Sequence, residues 1–412
     1  SFYTIKQLWS PVQIMNTSVD KQFDGKFSVE NRYDFLNLNT CRFLWKQVKF
    51  PTATDASNTT AQVLKQGEVQ GSDVAAHSAG VLDIKTTILP DADALFLTAI
   101  DRYGHELWRW TFPVNKLNQA NEVLSPLSNK VTSTETENEL TVKAKNHTFI
   151  FSKKDGQLKG VSVNNRKISF ANGPRFIGAR RADRSLDQFY NHDDEKAKEK
   201  DRTYSEFPDA AVFTKLDVKE DGGNLIVTAN YKLGNLDKVQ WTINPNGEAV
   251  LDYTYNFSGV VDLMGICFDY PEDQVISKRW LGAGPYRVWQ NRIHGTQYDV
   301  WENDYNDPIP GETFTYPEFK GYFGSVSWMN IRTKEGTISL TNETPDAYIG
   351  VYQPRDGRDR LLYTLPESGI SVLNVIPPVR NKVNSTDLCG PSSQPKWVNG
   401  PQSGRIIFRF ME

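Results

Sequence analysis

Val239-Gln240-Trp241-Thr242-Ile243-Asn244-Pro245-Asn246-Gly247-Glu248-Ala249-Val250-Leu251-Asp252-Tyr253-Thr254-Tyr255-Asn256-Phe257 alternates apolar and polar residues on both sides of an Asn-Pro-Asn-Gly turn. A period of two puts every second side chain on one face of a strand. Val239, Trp241 and Ile243 therefore share a face, and so do Leu251, Tyr253, Tyr255 and Phe257. Gly247 supplies the positive φ that other residues resist, which closes the two runs into a hairpin.

Working outward, the same period returns in Leu225, Val227, Ala229, Tyr231 and Leu233, and in Ile406, Phe408 and Phe410. Upstream, Ala94 to Ile100, a turn at Asp101-Arg102-Tyr103-Gly104, and Glu106 to Phe112 predict the closing hairpin of a smaller sandwich. Helical spacing is confined to the start, where Phe2, Ile5 and Leu8 with Trp9 precede Pro11. The expected fold is all-β: a short N-terminal helix over 1–11, a small sandwich over 12–118, a polar linker over 119–138 and a large antiparallel β-sandwich over 139–412. A length of 412 residues, more than one core usually supports, agrees with two domains.

Lysine and arginine number 47 against 50 acidic residues, a formal charge of −3 with mixed signs, which leaves no electrostatic footprint for nucleic acid or an anionic membrane. A neutral partner fits better. The longest apolar run, Ala94 to Ile100, is far shorter than the ~20 residues of a membrane-crossing helix. Cys41, Cys267 and Cys389 lie far apart, which predicts free thiols. His77, His105, His147, His192 and His294 never pair at i,i+4 or with cysteine, so neither a metal nor another cofactor is expected. Gly-x-Ser-x-Gly and P-loop patterns are absent.

Trp280-Leu281-Gly282-Ala283-Gly284-Pro285, followed by Arg287, Arg292, Trp301 and Tyr316-Pro317-Glu318-Phe319-Lys320-Gly321, closely resembles the W-L-G-x-G-P stretch in the last domain of family 2 β-galactosidases. Gly25 to Phe35 with Phe43-Leu44-Trp45 resembles the immunoglobulin-like domain that follows that family's catalytic barrel. Phe149 to Arg166, with its Lys154-Asp155-Gly156 turn, is similar to the first hairpin of the terminal sandwich, a fold related to galactose mutarotase. Phe2 to Pro11 looks like the end of the barrel itself.

The resemblance implies the non-catalytic C-terminal part of a retaining exo-glycosidase. It also implies carbohydrate as ligand, and as partners the catalytic (β/α)8 barrel and N-terminal domains of the same parent polypeptide, which would hold both catalytic glutamates. A periplasmic or secreted location follows only from that substrate class. At Arg181-Ala182-Asp183-Arg184-Ser185-Leu186-Asp187 and at Asp387-Leu388-Cys389-Gly390-Pro391 the chain departs from the family pattern, so the sugar and linkage stay open.

A pyranose offers an apolar C–H face to an aromatic ring and hydroxyls to planar polar groups. Trp289, Trp301 and Trp397 stand among polar residues without strand alternation and are loop-borne candidates, as open to packing as to sugar contact; Arg287, Arg292, Asp304 and Asp387 join them as candidate sugar contacts. Trp45, Trp241 and Trp280 fit core positions. Glu302, Asp304 and Asp307 lack the glycine and terminal glutamate of a calcium loop and read as a solvated loop. Asn121-Glu122, Asn138-Glu139 and Asn342-Glu343 match the family's acid dipeptide without the βα alternation of a barrel. Two other readings remain: a self-standing glycan-binding or scaffolding sandwich, and a mutarotase-like enzyme using His294 and Glu302.

Overall fold

A computed structural model describes residues 2–55, 60–114, 130–181, 204–207, 209–304, 321–351, 366, 368–378 and 390–412. They form two units, one of 1–119 with 281–285 and 293–301, the other of 120–280 with 286–292 and 302–412.

The first unit holds α1 (Phe2–Leu8) and strands β1 (Val12–Ile14), β2 (Lys26–Asn31), β3 (Arg42–Lys49), β4 (Gln62–Gln70), β5 (Ser78–Asp83), β6 (Ala94–Ile100) and β7 (Glu106–Pro113). They make a three-stranded sheet, β1-β2-β5, and a four-stranded sheet, β4-β3-β6-β7. Alternation in each strand sends Val12, Phe27, Val29 and Leu82 from one sheet and Phe43, Trp45, Leu97 and Phe112 from the other into a single core. The rings of Phe27 and Phe112 meet there at 5.1 Å. The expected closing hairpin is present as β6 paired with β7.

In the second unit the strands are β8 (Thr132–Glu135), β9 (Glu139–Ala144), β10 (His147–Ser152), β11 (Leu158–Val163), β12 (Arg166–Ile168), β13 (Ala171–Arg181), β14 (Tyr204–Glu206), β15 (Val212–Asp221), β16 (Asn224–Lys232), β17 (Leu236–Ile243), β18 (Ala249–Val261), β19 (Leu263–Asp269), β20 (Val275–Gly284), β21 (Gln297–Asp304), β22 (Trp328–Thr333), β23 (Gly336–Asn342), β24 (Tyr348–Gly350), β25 (Ile370–Val375) and β26 (Lys396–Met411). The ends of β20 and β21, as far as they fall in 281–285 and 293–301, count with the first unit. One sheet runs β24-β25-β19-β13-β11-β10-β9-β8, with β12 and β14 on its flanks, and the other β15-β16-β17-β18-β26-β23-β22-β20-β21.

The hairpin expected at 239–257 is β17 and β18, with Trp241 opposite Leu251 and Val239 opposite Tyr253. Asn244 Oδ1 accepts from the N–H of Asn246 and of Glu248, fixing the turn. Between the two sheets lies an aromatic core. Phe408 sits 5.2 Å from Phe170, 5.6 Å from Phe268 and 6.0 Å from Trp241. Each such ring, fully buried, stabilises by about 1.5–3 kcal/mol. Trp241 and Trp280 are interior, as is Trp45 in the first unit, and Cys41 and Cys267 are buried free thiols.

Two features differ from the sequence reading. The stretch read as linker includes β8, whose four residues are all exposed; backbone pairing with β9 makes it a strand without an apolar face to announce it. The first unit also takes in residues 281–285 and 293–301, so it is not contiguous in sequence.

Gly247 has φ +86°, and a Cβ there would collide with His147 Nδ1. The imidazole cannot swing aside, since its Nε2 is 2.8 Å from the Phe410 carbonyl and its ring stacks on Phe149. Gly247→Ala should therefore cost about 2–4 kcal/mol in urea unfolding, adding left-handed backbone strain to a steric clash.

Burial of the same imidazole pushes its pKa below the ordinary histidine value. The unfolded chain then binds more protons than the folded one between that depressed value and about 6.5. Stability present above about pH 6.5 should fall as pH drops through this window. Urea unfolding of His147→Gln should show a shallower decline over the same range.

Candidate functional site

β20 delivers Trp280 to the interior of the second unit, edge-on to Phe323 at 4.8 Å. Val288 then pairs with Tyr322 through two backbone hydrogen bonds of 2.7 Å, and Trp289 and Arg292 close a tight turn. At its tip Gln290 Nε2 donates to the carbonyls of Ser392 and Gln394, and Asn291 Nδ2 donates to Ser393 Oγ. The turn is thus tied to the segment leading into β26.

Two of the candidate sugar contacts are buried. With Gln290 and Asn291 held at the tip, Trp289 turns inward, 4% exposed, and packs edge-on against Tyr322 in a cluster with Ile177, Val288 and Leu373. Arg287 is buried too, its guanidinium 5.1 Å from the Phe323 ring. Arg292 and Asp304 are exposed. Trp397 is 70% exposed, but it lies on β26 opposite Val260 and not in a loop. Trp301, on β21, counts with the first unit, where it donates from Nε1 to the Gln297 carbonyl and covers Gly284. Asp387 and Asp307 lie outside the described residues. His294 is exposed and counts with the first unit, whereas Glu302 is exposed and counts with the second.

In the first unit, α1 is held by polar contacts. Thr4 Oγ1 donates to the His294 carbonyl at 3.0 Å, Gln7 Oε1 accepts from Gly295 N–H at 2.6 Å, and Lys6 pairs with Glu106 at 2.9 Å. Gly295 has φ +87°, and a Cβ there would come within 2.6 Å of Thr4 N, so only glycine allows this approach. The segment carrying it is clamped to β7 by Arg109, whose Nη2 donates to Asp299 Oδ2 at 2.9 Å. Burial raises the Asp299 pKa, and the Arg109 charge opposes that rise. The apolar residues of α1 face the other way, with Phe2 71% and Trp9 79% exposed and Ile5 and Leu8 about half exposed.

A cleft of about 380 Å³ opens on the outer face of the nine-stranded sheet. Gln240, Asp252 and Arg405 stand side by side on β17, β18 and β26, and Thr254 and Ser403 form the adjacent row with Lys238. Arg405 Nη1 donates to both Asp252 oxygens at 2.9 Å, and Arg405 Nε pairs with Glu343 at 3.1 Å. Of these residues the sequence reading singled out Glu343 alone, in the Asn342-Glu343 dipeptide. The available signal was the outward half of the same alternation that marks the core. A retaining glycosidase needs one desolvated carboxyl beside an ionised one. Asp252 and Glu343 are 35% and 27% exposed and engage one guanidinium, which suits neither to that role. Among the described residues no group of three His, Cys, Asp or Glu could hold a metal ion.

The family model described as β-galactosidase small chain matches residues 143–375. No curated protein matches the chain. Among solved structures, galactose 1-epimerase from Lactobacillus acidophilus aligns with 68% of this chain and 98% of its own, at 9% identity and a TM-score of 0.38. A cycloalternan-forming enzyme from Listeria monocytogenes aligns with 97% of this chain and 30% of its own, at 8% identity and a TM-score of 0.21. Neither likeness bears on activity.

The opposite burial of the two tryptophans has a measurable consequence. Trp289→Ala should lower unfolding free energy by about 3–5 kcal/mol, and Trp397→Ala by no more than about 0.5 kcal/mol, in guanidinium titrations of the purified chain.

Proposed function

Because the chain belongs to the β-galactosidase small chain family, we propose that it is a non-catalytic accessory chain of a family 2 retaining exo-glycosidase, docked on the polypeptide that carries the catalytic barrel. The observation that carries this reading is the orientation of α1. A surface helix ordinarily buries its apolar stripe and shows its polar side to water. Here Thr4, Lys6 and Gln7 make the internal contacts while Phe2, Ile5, Leu8 and Trp9 remain exposed. A seven-residue helix is too short to persist on propensity alone, so its polar tethers keep an apolar face presented outward. A catalytic (β/α)8 barrel is the occupant that the family and the resemblance of Phe2 to Pro11 both favour.

On this reading the first unit is the immunoglobulin-like connector and the second the mutarotase-like terminal sandwich. Carbohydrate is the ligand at the shared active site. Arg292, Trp301, Asp304, Asp387 and Trp397 remain the candidates for bordering it, and a periplasmic or secreted setting suits such a substrate. A self-standing glycan-binding protein would instead be expected to cover α1 with its own chain, which the exposure of Phe2 and Trp9 disfavours.

The test mixes the purified chain with a separately produced β-galactosidase large polypeptide and follows assembly by size-exclusion chromatography and turnover with an aryl galactoside. The chain alone should give no turnover, and the mixture should assemble and hydrolyse. Leu8→Asn with Trp9→Ser should shift the unfolding midpoint only slightly, because Trp9 is exposed and Leu8 half exposed, yet weaken assembly by about tenfold or more. Turnover by the chain alone, or undiminished assembly of the double variant, would count against the proposal.

A further inference from the structure

We infer that the cleft beside Arg405 is a binding subsite for a neutral polyhydroxylated ligand, a mono- or disaccharide read by hydrogen bonds rather than by ring stacking. The site lies at a step in the sheet. β23 pairs with β26 only as far as Asn342 opposite Ile406, whereas β18 continues alongside β26 to Lys396. Past that point Glu343 and Thr344 still bond the Arg405 backbone, with Glu343 N–H donating to its carbonyl at 3.0 Å and Thr344 Oγ1 accepting from its N–H at 3.0 Å. The step leaves a hollow of about 380 Å³, within the range of small-molecule sites, with Pro345 as an apolar wall.

Charge decides the ligand class. Lys238 and Arg405 are offset by Asp252 and Glu343, so a phosphate or sulfate would meet two carboxylates and an ammonium would meet two cations. A sugar hydroxyl, donor and acceptor at once, can bond either kind of group. Arg405 holds both carboxylates in place before any ligand arrives, which reduces the ordering cost of binding. Lys238 and Gln240 supply the remaining capacity, since among the described residues neither side chain makes a hydrogen bond. Neighbouring strands stand about 4.8 Å apart and successive residues on one face about 6.8 Å apart, a grid on the scale of the hydroxyls around one or two sugar rings.

The inference stands whether or not α1 docks on a catalytic polypeptide, so it is tested on the chain alone. Lactose, maltose and cellobiose are titrated into the full chain and followed by amide NMR, with inorganic phosphate and ethylammonium as charged controls. At least one disaccharide should shift the amides of Gln240, Asp252 and Arg405 in a saturable, millimolar manner, and the charged controls should not compete. Lys238→Ala with Gln240→Ala leaves the Arg405 network intact, so it should keep the spectrum of the folded chain and bind about tenfold more weakly or worse. Three results would overturn the inference: no disaccharide saturates, phosphate or ethylammonium competes, or the folded double variant binds as tightly as the parent chain.

Discussion

The ring of Phe408 touches the rings of Trp241, Phe268, Phe170 and Phe410, and the second unit is organised around it. Trp241 and Phe408 come from the nine-stranded sheet and Phe268 from the facing one, so the cluster joins the two layers. Stacking several large apolar rings at one point requires each strand to hold its register, because a slip of one residue would turn the whole set outward. The pairing of β18 with β26 runs without a shift from Ala249 opposite Phe408 to Val261 opposite Lys396, which is the register the rings demand.

The same register builds the polar surface. Leu251 and Tyr253 point into the core, so Asp252 and Thr254 must point out; Phe408 and Ile406 point in, so Arg405 must point out beside Asp252. The Arg405 network is therefore a by-product of core packing rather than an independently folded site. Its rigidity follows from the same source. A strand pair locked from beneath holds one guanidinium nitrogen against both oxygens of Asp252 while a third strand ends nearby.

Legibility in the sequence tracked locality. The hairpin at 239–257 could be read directly because alternation and turn lie within one stretch, and Trp280, read as a core position, is fully buried. Trp289 did not, since its burial depends on Gln290 and Asn291 gripping residues about a hundred positions away. Trp397 misled for the opposite reason. The first part of β26 is rich in Gly, Pro, Asn and Ser, a loop-like composition, yet it pairs residue by residue with β18. The cleft stayed hidden because Asp252 and Arg405 are neighbours only after β18 and β26 pair.

For α1 the periodicity was legible, and an exposed stripe was what the accessory reading required, but the tether that exposes it was not legible. Spacing at three to four residues identifies an apolar stripe, and the ordinary inference is that the stripe faces the body of the protein. What reverses it here is Gly295, whose missing side chain lets the backbone come against Thr4 while Gln7 and Thr4 satisfy the backbone N–H of Gly295 and the carbonyl of His294. A helix docked through backbone groups of a neighbouring segment must put its polar residues inward. Its apolar residues are then left largely open to solvent, Phe2 and Trp9 most of all. The exposed stripe is thus a consequence of how the helix is tethered, and the tether itself depends on a glycine nearly three hundred residues downstream.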